Sequence, residues 1–391
     1  MNKANGNVYS LHNRVKLVHG GGEYFRQMEE MIDAAKYSIH LQVYIFDEDE
    51  TGNRIADALI RARKREVSVY LIVDGYASQR ISTAFVSRLI DAGIHFSYFE
   101  QVFRTRYFYI GRRMHSKVIV IDEAKAMVGG INISNRYNDI DNIPAWMDWA
   151  IYVEGDTAGD LHKECIYLWD NSILRPKYIP VKTDWTAFTV KEECLVRVRK
   201  NDWVKRRTEI TKSYREMFKQ AHSYITIMSG YFWPARRLLK KMANASKRGV
   251  KIKLILAGRS DISVAKHAER YMYRWLFRNN IEIYEYQDSV LHGKIAVYDD
   301  RWVTGGSYNV NNISAFASIE MNLDVKDKDF AKTVDAKLQE VIDSHCIQVT
   351  SANYENGYNF LQRSRQTISY WVVHIIFRLF TFYFRQEKYK G

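Results

Sequence analysis

Two copies of one pattern of chemically active side chains occur in this chain, one in each half. The first copy reads HSKVIVIDEAKAMVGGIN over 115–132, and the second reads HGKIAVYDDRWVTGGSYN over 292–309. The matched pairs are His115 and His292, Lys117 and Lys294, Asp122 and Asp299, and Asn132 and Asn309. A single histidine two residues before a lysine would indicate only a polar strand. A repeat at equal spacing predicts one site that both copies build.

These residue types predict chemistry on a phosphodiester. Lysine ammonium groups and asparagine amides donate hydrogen bonds to phosphate oxygens, and preorganised donors stabilise the charge that develops there. One neutral imidazole can attack phosphorus while a protonated imidazole donates to the leaving oxygen. An ordinary histidine pKa of about 6.5 allows both forms near neutral pH. Because the lysines supply positive charge, the pattern requires no metal and no cofactor.

The spacing also predicts how the backbone presents these residues. Side chains two apart on a strand share a face, so each histidine projects beside the lysine that follows it. Asp122 and Asp299 fall where the strands end, and we expect them to bond backbone and stabilise structure. The acidic residues Asp148 and Glu320, on the next strand of each copy, are better placed to orient the histidines.

The elements that must position these residues are repeated as well. Ala35–Phe46 aligns with Ala221–Phe232, Ala62–Gly75 with Ala245–Gly258, and Ile94–Phe99 with Ile281–Tyr286. The alternation of strands and helices predicts an α/β fold, in which each half has a mixed, mostly parallel sheet flanked by helices. We expect a first half over 1–175, a linker over 176–200, a second half over 201–345 and a tail over 346–391.

The duplicated motifs resemble those of the phospholipase D superfamily, whose paired HKD motifs form one site at the interface of two similar halves. The resemblance implies a two-step transfer through a phosphohistidine, with His115 as nucleophile and His292 as acid and base. The resemblance also implies that the motif lysines and aspartates belong to the catalytic residues. In that family, carboxylates at similar downstream positions contact the histidines. The first copy has Gly130 where the second has Ser307, and this serine is expected to bind phosphate with Asn132 and Asn309.

A longer stretch narrows the resemblance. Residues 13–78 are similar to the opening of the short bacterial cardiolipin synthases, of the cardiolipin synthase B type. This similarity implies that two phosphatidylglycerol molecules are converted into cardiolipin and glycerol. A phospholipase D hydrolase, a phosphatidylserine synthase and a nuclease share the chemistry and remain alternatives, as does a non-catalytic membrane-binding protein with a vestigial site.

Composition favours an anionic partner. The 391 residues carry 58 Lys+Arg against 45 Asp+Glu, a formal net charge of +13. Such a surplus suits anionic phospholipid, a membrane surface or nucleic acid, and we expect no nucleic acid because of the tail described next. Three widely spaced cysteines, without zinc spacing, predict a reducing compartment. The opening residues contain no secretory signal pattern.

After the positive net charge, the tail is the second feature that indicates binding to a membrane. On a helix over 367–385, polar residues recur every three or four positions and form one narrow stripe, whereas apolar and aromatic residues cover the rest. The stripe consists of Thr367, Tyr370, His374, Arg378, Thr381 and Arg385. This pattern predicts an amphipathic helix at the membrane interface, and hence a peripheral protein on the cytoplasmic face of the inner membrane. A core helix or a dimer-packing helix is the alternative, and the oligomeric state stays open.

Overall fold

The computed structural model describes residues 8–100, 112–171, 177–181, 190–311, 314–315, 318–357 and 360–386. Strands and helices alternate in both halves, as the repeat predicts. The motif strands lie at the centre of the molecule, where every side chain of 117–121 and 294–298 is buried. The fold can therefore be described as two sheets that each carry one motif.

Among the described residues, the first sheet has seven strands in the order β4–β3–β2–β6–β7–β8–β1. Its strands are β1 Ser10–His19, β2 Ser38–Val43, β3 Ser68–Asp74, β4 His95–Phe99, β6 Lys117–Ile121, β7 Lys125–Gly129 and β8 Trp149–Gly155; the two-residue strand β5, Arg113–Met114, pairs with the other half. Strands β2, β3 and β4 are parallel, whereas β6, β7, β8 and β1 continue the sheet in antiparallel fashion. The motif strand β6 therefore borders the parallel part.

The second sheet repeats this order and adds a strand at each edge. Its strands are β9 Glu193–Asp202, β10 Arg207–Thr208, β11 Tyr224–Ser229, β12 Lys251–Ala257, β13 Ile281–Tyr286, β14 Lys294–Tyr298, β15 Trp302–Gly306, β16 Ser318–Lys326 and β17 Cys346–Val349. They follow the order β17–β13–β12–β11–β14–β15–β16–β9–β10, with β11, β12 and β13 parallel. The predicted duplicated α/β fold with mixed sheets is confirmed.

Helices cover the outer faces of the sheets. They are α1 Gly22–Asp33, α2 Glu50–Lys64, α3 Thr83–Asp91, α4 Asp156–Asp170, α5 Glu209–Gln220, α6 Arg236–Lys247, α7 Ser263–Tyr271, α8 Tyr273–Arg278, α9 Lys328–His345, α10 Ser351–Asn356 and α11 Phe360–Gln386; a short 3-10 helix spans Asn135–Tyr137. Local sequence explains where they begin. The Asp49 carboxylate accepts a hydrogen bond from the Gly52 backbone at the start of α2, and Asp327 accepts one from Phe330 at the start of α9.

The two sheets pack face to face, and their shared core joins the halves. Apolar side chains of β6–β8 contact those of β14–β16, together with residues of α4 and α9. Gly305 allows a close approach here, because a Cβ atom at this position would lie 2.9 Å from Cδ1 of Ile151. Separate cores lie between each sheet and its outer helices. The motif strands are thereby held in a fixed relation across the interface.

The predicted linker at 176–200 is wrong over its last part, because β9 begins at Glu193 and pairs with both β16 and β1. Buried arginines conceal this strand in the sequence. Arg197 donates to Asp324 at 2.9 Å, and Arg199 lies 3.4 Å from the same carboxylate. Charged side chains at interior positions break the apolar alternation by which a strand is recognised.

The predicted tail over 346–391 also begins differently from the expectation, because its first residues form a strand of the second sheet. Strand β17 pairs with β13 and extends the second sheet. The final helix begins at Phe360 rather than Thr367. The start of the tail is therefore part of the second half.

Candidate active site

The backbone of the opposite half holds the first motif histidine. Met114, in β5, pairs with Ile319 in β16, and the His115 amide donates to the Ile319 carbonyl at 3.0 Å. The imidazole of His115 contacts the next residue of β16, with Nδ1 3.0 Å from Glu320 Oε2. A second-half carboxylate thus orients a first-half histidine.

The second motif histidine is held in the reciprocal way. Leu291 bridges Met147, and the His292 amide donates to the Met147 carbonyl at 2.8 Å. His292 Nδ1 lies 2.6 Å from Asp148 Oδ2. The two carboxylates are therefore exchanged between the halves about an approximate two-fold axis. The sequence pointed to both acidic residues but contained no signal for this exchange.

Both carboxylates lie completely inside the protein, and burial changes the acid–base properties of Asp148. Asp148 and Glu320 are 0 % exposed. Burial raises the pKa of Asp148 to about 6, while the charge of Lys294 opposes this rise. Such a carboxylate accepts a hydrogen bond from the imidazole Nδ1 and fixes the ring tautomer, which turns Nε2 away from it.

The electrostatics of the histidines favour the neutral imidazole. Burial lowers the pKa of His115, and the Glu320 carboxylate only partly offsets this effect. Burial lowers the pKa of His292 well below its ordinary value, and the charges of Lys294 and Lys117 add to the effect. An anion in the site would stabilise the protonated form of either ring.

The motif lysines lie beside their histidines with ammonium groups that are easily deprotonated. Lys117 Nζ donates to the His115 carbonyl at 2.6 Å, and Lys294 Nζ donates to the His292 carbonyl. Burial lowers the pKa of Lys117 to about 7 and that of Lys294 to about 8. Because an anionic ligand would restore full protonation, these cations are suited to phosphate.

The asparagines and the serine, all predicted to bind phosphate, are placed differently from one another. Asn132 accepts from the Ile45 amide and donates to the Tyr137 hydroxyl. Asn309 lines the cavity, and its buried Oδ1 atom has no hydrogen-bond partner within the described structure.

Ser307 is a correction. Its hydroxyl donates to Glu320 Oε2 at 2.5 Å and accepts from the Met321 amide at 3.0 Å. The side chain is completely buried, so the serine supports the carboxylate rather than offering its hydroxyl to phosphate.

The motif aspartates are also a correction to their grouping with the catalytic residues. Asp122 accepts from the backbone amides of Lys36, Tyr37 and Ser38 at 2.7–2.8 Å. Asp299 accepts in the same way from His222, Ser223 and Tyr224. Both lie beyond the strand end opposite the histidines, so the whole motif strand of 5 residues, about 16 Å long, lies between each aspartate and its histidine. They bond backbone, as their position in the sequence predicted.

One cavity of about 730 Å³ joins the two histidines. Aromatic rings flank them: Tyr44 lies 4.9 Å from His115 between ring centres, and Tyr137 lies 5.2 Å from His292. The rest of the lining comes mainly from the second half, including Trp233 and Ile262, and from Val372 of α11. Sequence reasoning missed these wall residues, since ordinary loop and helix-start residues carry no distinguishing pattern. Among the described residues, no cluster of three or more potential metal ligands is present.

The duplicated fold, the crossed histidine–carboxylate pairs and the buried lysines together define a phospholipase D-like protein. A sequence model described as "Cardiolipin synthase, PLD-like domain" matches residues 28–143 and 214–342, and the chain belongs to this family.

Curated relatives agree with that assignment. The chain is 34% identical over 350 residues to cardiolipin synthase B of Salmonella typhimurium strain LT2, a match that covers 86% of this chain and 82% of that protein. It is 32% identical over 343 residues to cardiolipin synthase B of Escherichia coli K12, with the same coverage. The predicted resemblance to the cardiolipin synthase B type is confirmed.

A solved structure supports the fold alone. Phosphatidylserine synthase from Haemophilus influenzae Rd KW20 superposes with a TM-score of 0.74 at 16% identity, covering 96% of this chain and 97% of that chain. At that identity the similarity carries no information on substrate.

Proposed function

We propose that this chain is a cardiolipin synthase that transfers a phosphatidyl group between two phosphatidylglycerol molecules, giving cardiolipin and glycerol. The observation that carries the proposal is the pair of histidines on one cavity, each with Nδ1 on a buried carboxylate of the opposite half. The curated relatives named cardiolipin synthase B support the choice of lipid.

In the first step, the neutral His115 ring attacks the phosphorus of the donor lipid through Nε2. The bond from phosphorus to the glycerol headgroup oxygen breaks, and His292 gives its Nε2 proton to that oxygen. The larger side-chain exposure of His115, 17% against 7% for His292, supports this order. The products are free glycerol and a phosphatidyl group bound to His115.

In the second step, the acceptor lipid takes the place of glycerol. Neutral His292 removes the proton from a glycerol hydroxyl of the acceptor, and the resulting oxygen attacks phosphorus and releases His115. Throughout, Lys117 and Lys294 stabilise the charge on the nonbridging oxygens, because each holds its ammonium group beside a histidine. Asn132 and Asn309 are proposed to donate their amide protons to the same oxygens.

The substrates place the protein at a membrane, and we propose a peripheral location on the cytoplasmic face of the inner membrane. None of the helices in the described part of the chain is both long and apolar enough to cross a bilayer. Substrate would then enter the cavity from the lipid surface.

Mass spectrometry of lipids tests the proposal. Purified protein is incubated with phosphatidylglycerol vesicles without added metal, and cardiolipin with an equal amount of free glycerol is expected. Phosphatidic acid as the sole product would identify water as the acceptor and a phospholipase D. His115→Ala and His292→Ala, checked for folding by circular dichroism, are expected to give no product.

A further inference from the structure

The outer face of α11 is an apolar strip that no other described element covers. Leu361, Ile368, Trp371, Val372 and Ile375 are 43–69 % exposed. Their spacing of three, four or seven residues, with Val372 beside Trp371, places them on one side of the helix. Soluble proteins seldom leave such a continuous strip to water, and where they do, it commonly marks an interaction site.

The opposite face of α11 fixes the helix in place. The Tyr370 ring lies 4.3 Å from Tyr271 and 5.0 Å from Trp233 between ring centres, and Gln366 is buried against Tyr354. The polar stripe predicted from the sequence thus turns in part towards the protein. The apolar strip therefore points outward because the other face is occupied.

The strip is continuous with the mouth of the catalytic cavity. Val372 belongs both to the strip and to the cavity lining. Ile262 and Val264, at the start of α7, are likewise exposed and line the cavity. A ligand that covers this face would lie directly at the opening of the site.

A row of cations borders the same face. Leu239 of α6 packs into one cluster with α7 and α11, and helix geometry places Arg236 and Lys240 beside Leu239 on its solvent side. Together with Arg237 and Lys241 they are exposed, and among the described residues none forms an ion pair with a carboxylate.

The equivalent position in the first half has the opposite charge. The segment that leads into α2 is acidic and consists of Asp47, Glu48, Asp49 and Glu50. The duplication therefore preserved the fold but not the charge at the start of this helix, which is acidic in α2 and basic in α6. The basic border is a property of one face of the molecule.

We propose that the apolar strip of α11, the start of α7 and the cations of α6 form one docking face for a bilayer that contains anionic phospholipid. The strip enters the interfacial region, while the cations remain at the level of the headgroups. The inference rests on the proposed function in one respect, because a lipid substrate explains why the cavity opens into this face.

The chemistry of the face distinguishes a bilayer from other partners. Nucleic acid would match the cations and leave the apolar strip exposed. A symmetric dimer through this face would place the cation rows of two copies in the same contact, where like charges repel. A surface that is anionic at the headgroups and apolar just beneath matches both features.

Vesicle sedimentation with the full chain tests the proposal. Vesicles of phosphatidylcholine with 30 mol% phosphatidylglycerol are compared with pure phosphatidylcholine. Arg236→Glu with Lys240→Glu is expected to weaken binding to the anionic vesicles by about 30-fold or more, since each interfacial cation contributes about fivefold. Ile368→Ser with Ile375→Ser is expected to weaken binding to both compositions.

The matched control reverses two exposed cations of the first half, Lys36→Glu with Lys64→Glu, and is expected to bind like wild type. Equal binding by the α6 variant and this control would overturn the proposal. So would a dimer in size-exclusion chromatography that dissociates in the α11 variant while vesicle binding is unchanged. If the α11 variant does not fold, binding of the α6 variant to the anionic vesicles still tests the proposal.

Turnover of dihexanoyl-phosphatidylglycerol below its micellar concentration separates this inference from the proposed function. The docking variants are expected to match wild type on this dissolved lipid. A wild-type protein that binds vesicles and gives no product from it would contradict the proposed function and leave the docking face intact.

Discussion

Ser307 shows how one side chain can differ between two otherwise equivalent motifs. Its hydroxyl donates to the carboxylate that also holds His115. The counterpart in the first half is Gly130, where a Cβ atom would lie 2.4 Å from the Asp148 carboxylate. The two histidines thus have unequal support, because Glu320 has a hydroxyl donor at this position and Asp148 does not.

Ser307→Ala is expected to lower kcat about tenfold, equivalent to about 1.4 kcal/mol, with little change in KM for phosphatidylglycerol. Without the hydroxyl, the carboxylate attracts the His115 proton more strongly, so the pKa of His115 rises. The acidic limb of the kcat/KM profile, which requires neutral His115, should then move to higher pH. Ser307→Thr should restore the wild-type profile. If Ser307→Ala instead raised KM and left the acidic limb of the pH profile unchanged, the serine would bind phosphate, as the sequence predicted.

The motif aspartates tie each motif strand to the neighbouring parallel strand. Asp122, at the end of β6, holds the start of β2, and Asp299, at the end of β14, holds the start of β11. Each carboxylate accepts hydrogen bonds from three consecutive backbone amides, the last of which belongs to the first residue of the parallel strand. Asp122 is buried, whereas Asp299 is partly exposed. The same hydrogen bonds therefore have unequal exposure to water in the two halves.

Asp122→Asn is expected to lower the free energy of unfolding by about 1–3 kcal/mol, because an amide nitrogen replaces an acceptor of a buried N–H group. Asp299→Asn should cost less, since water can satisfy the freed groups. Urea unfolding midpoints give the stabilities, and turnover per folded molecule should stay within about twofold of wild type. A large loss of turnover in a fully folded variant would make these residues catalytic after all.

A buried histidine pair links β2 with α4, away from the site. Nε2 of His162 lies 3.0 Å from Nε2 of His40, and His162 Nδ1 lies 3.2 Å from the Glu123 carboxylate. Burial lowers the pKa of His40 well below its ordinary value, and His162 adds to this effect. His40 is therefore neutral in the folded protein, while an unfolded chain takes up a proton below about pH 6.5.

Acid should destabilise the first half through this pair. The unfolded state binds the additional proton, so stability is complete above pH 6.5 and falls as pH decreases towards the folded pKa, by up to about 2 kcal/mol at pH 5. His40→Asn removes that titration, and the difference in unfolding free energy between pH 7 and pH 5 should shrink accordingly. An unchanged difference in the variant would place the acid sensitivity elsewhere.

For the whole molecule, the duplication made the sequence unusually informative. The repeat of strands, helices and motifs predicted the α/β halves, and the motif spacing predicted one site, which the structure shows as two histidines on one cavity, each with its lysine beside it. What the sequence concealed depends on contacts between distant residues. Strand β9 was hidden because Arg197 and Arg199 are buried against Asp324. The exchange of carboxylates between halves follows from the packing of two sheets, which no local pattern records.

That exchange leads to a prediction in which a mutation in one half impairs the histidine of the other. Asp148→Asn, in the first half, removes the partner of His292, so the base of the second step is weakened and phosphatidyl-enzyme persists on His115. Glu320→Gln, in the second half, removes the partner of His115, so less phosphatidyl-enzyme forms. Each variant should lose about 10²–10⁴-fold in turnover.

Acid quenching with labelled phosphatidylglycerol, followed by peptide mass spectrometry, measures both the amount and the position of the adduct. An adduct on His292 that accumulates in Glu320→Gln would reverse the two histidine roles while preserving the exchange. Equal adduct in both variants would mean that the crossed carboxylates do not act on their histidines separately. The unequal result is expected, since Glu320 holds the imidazole of His115, whereas Asp148 holds that of His292.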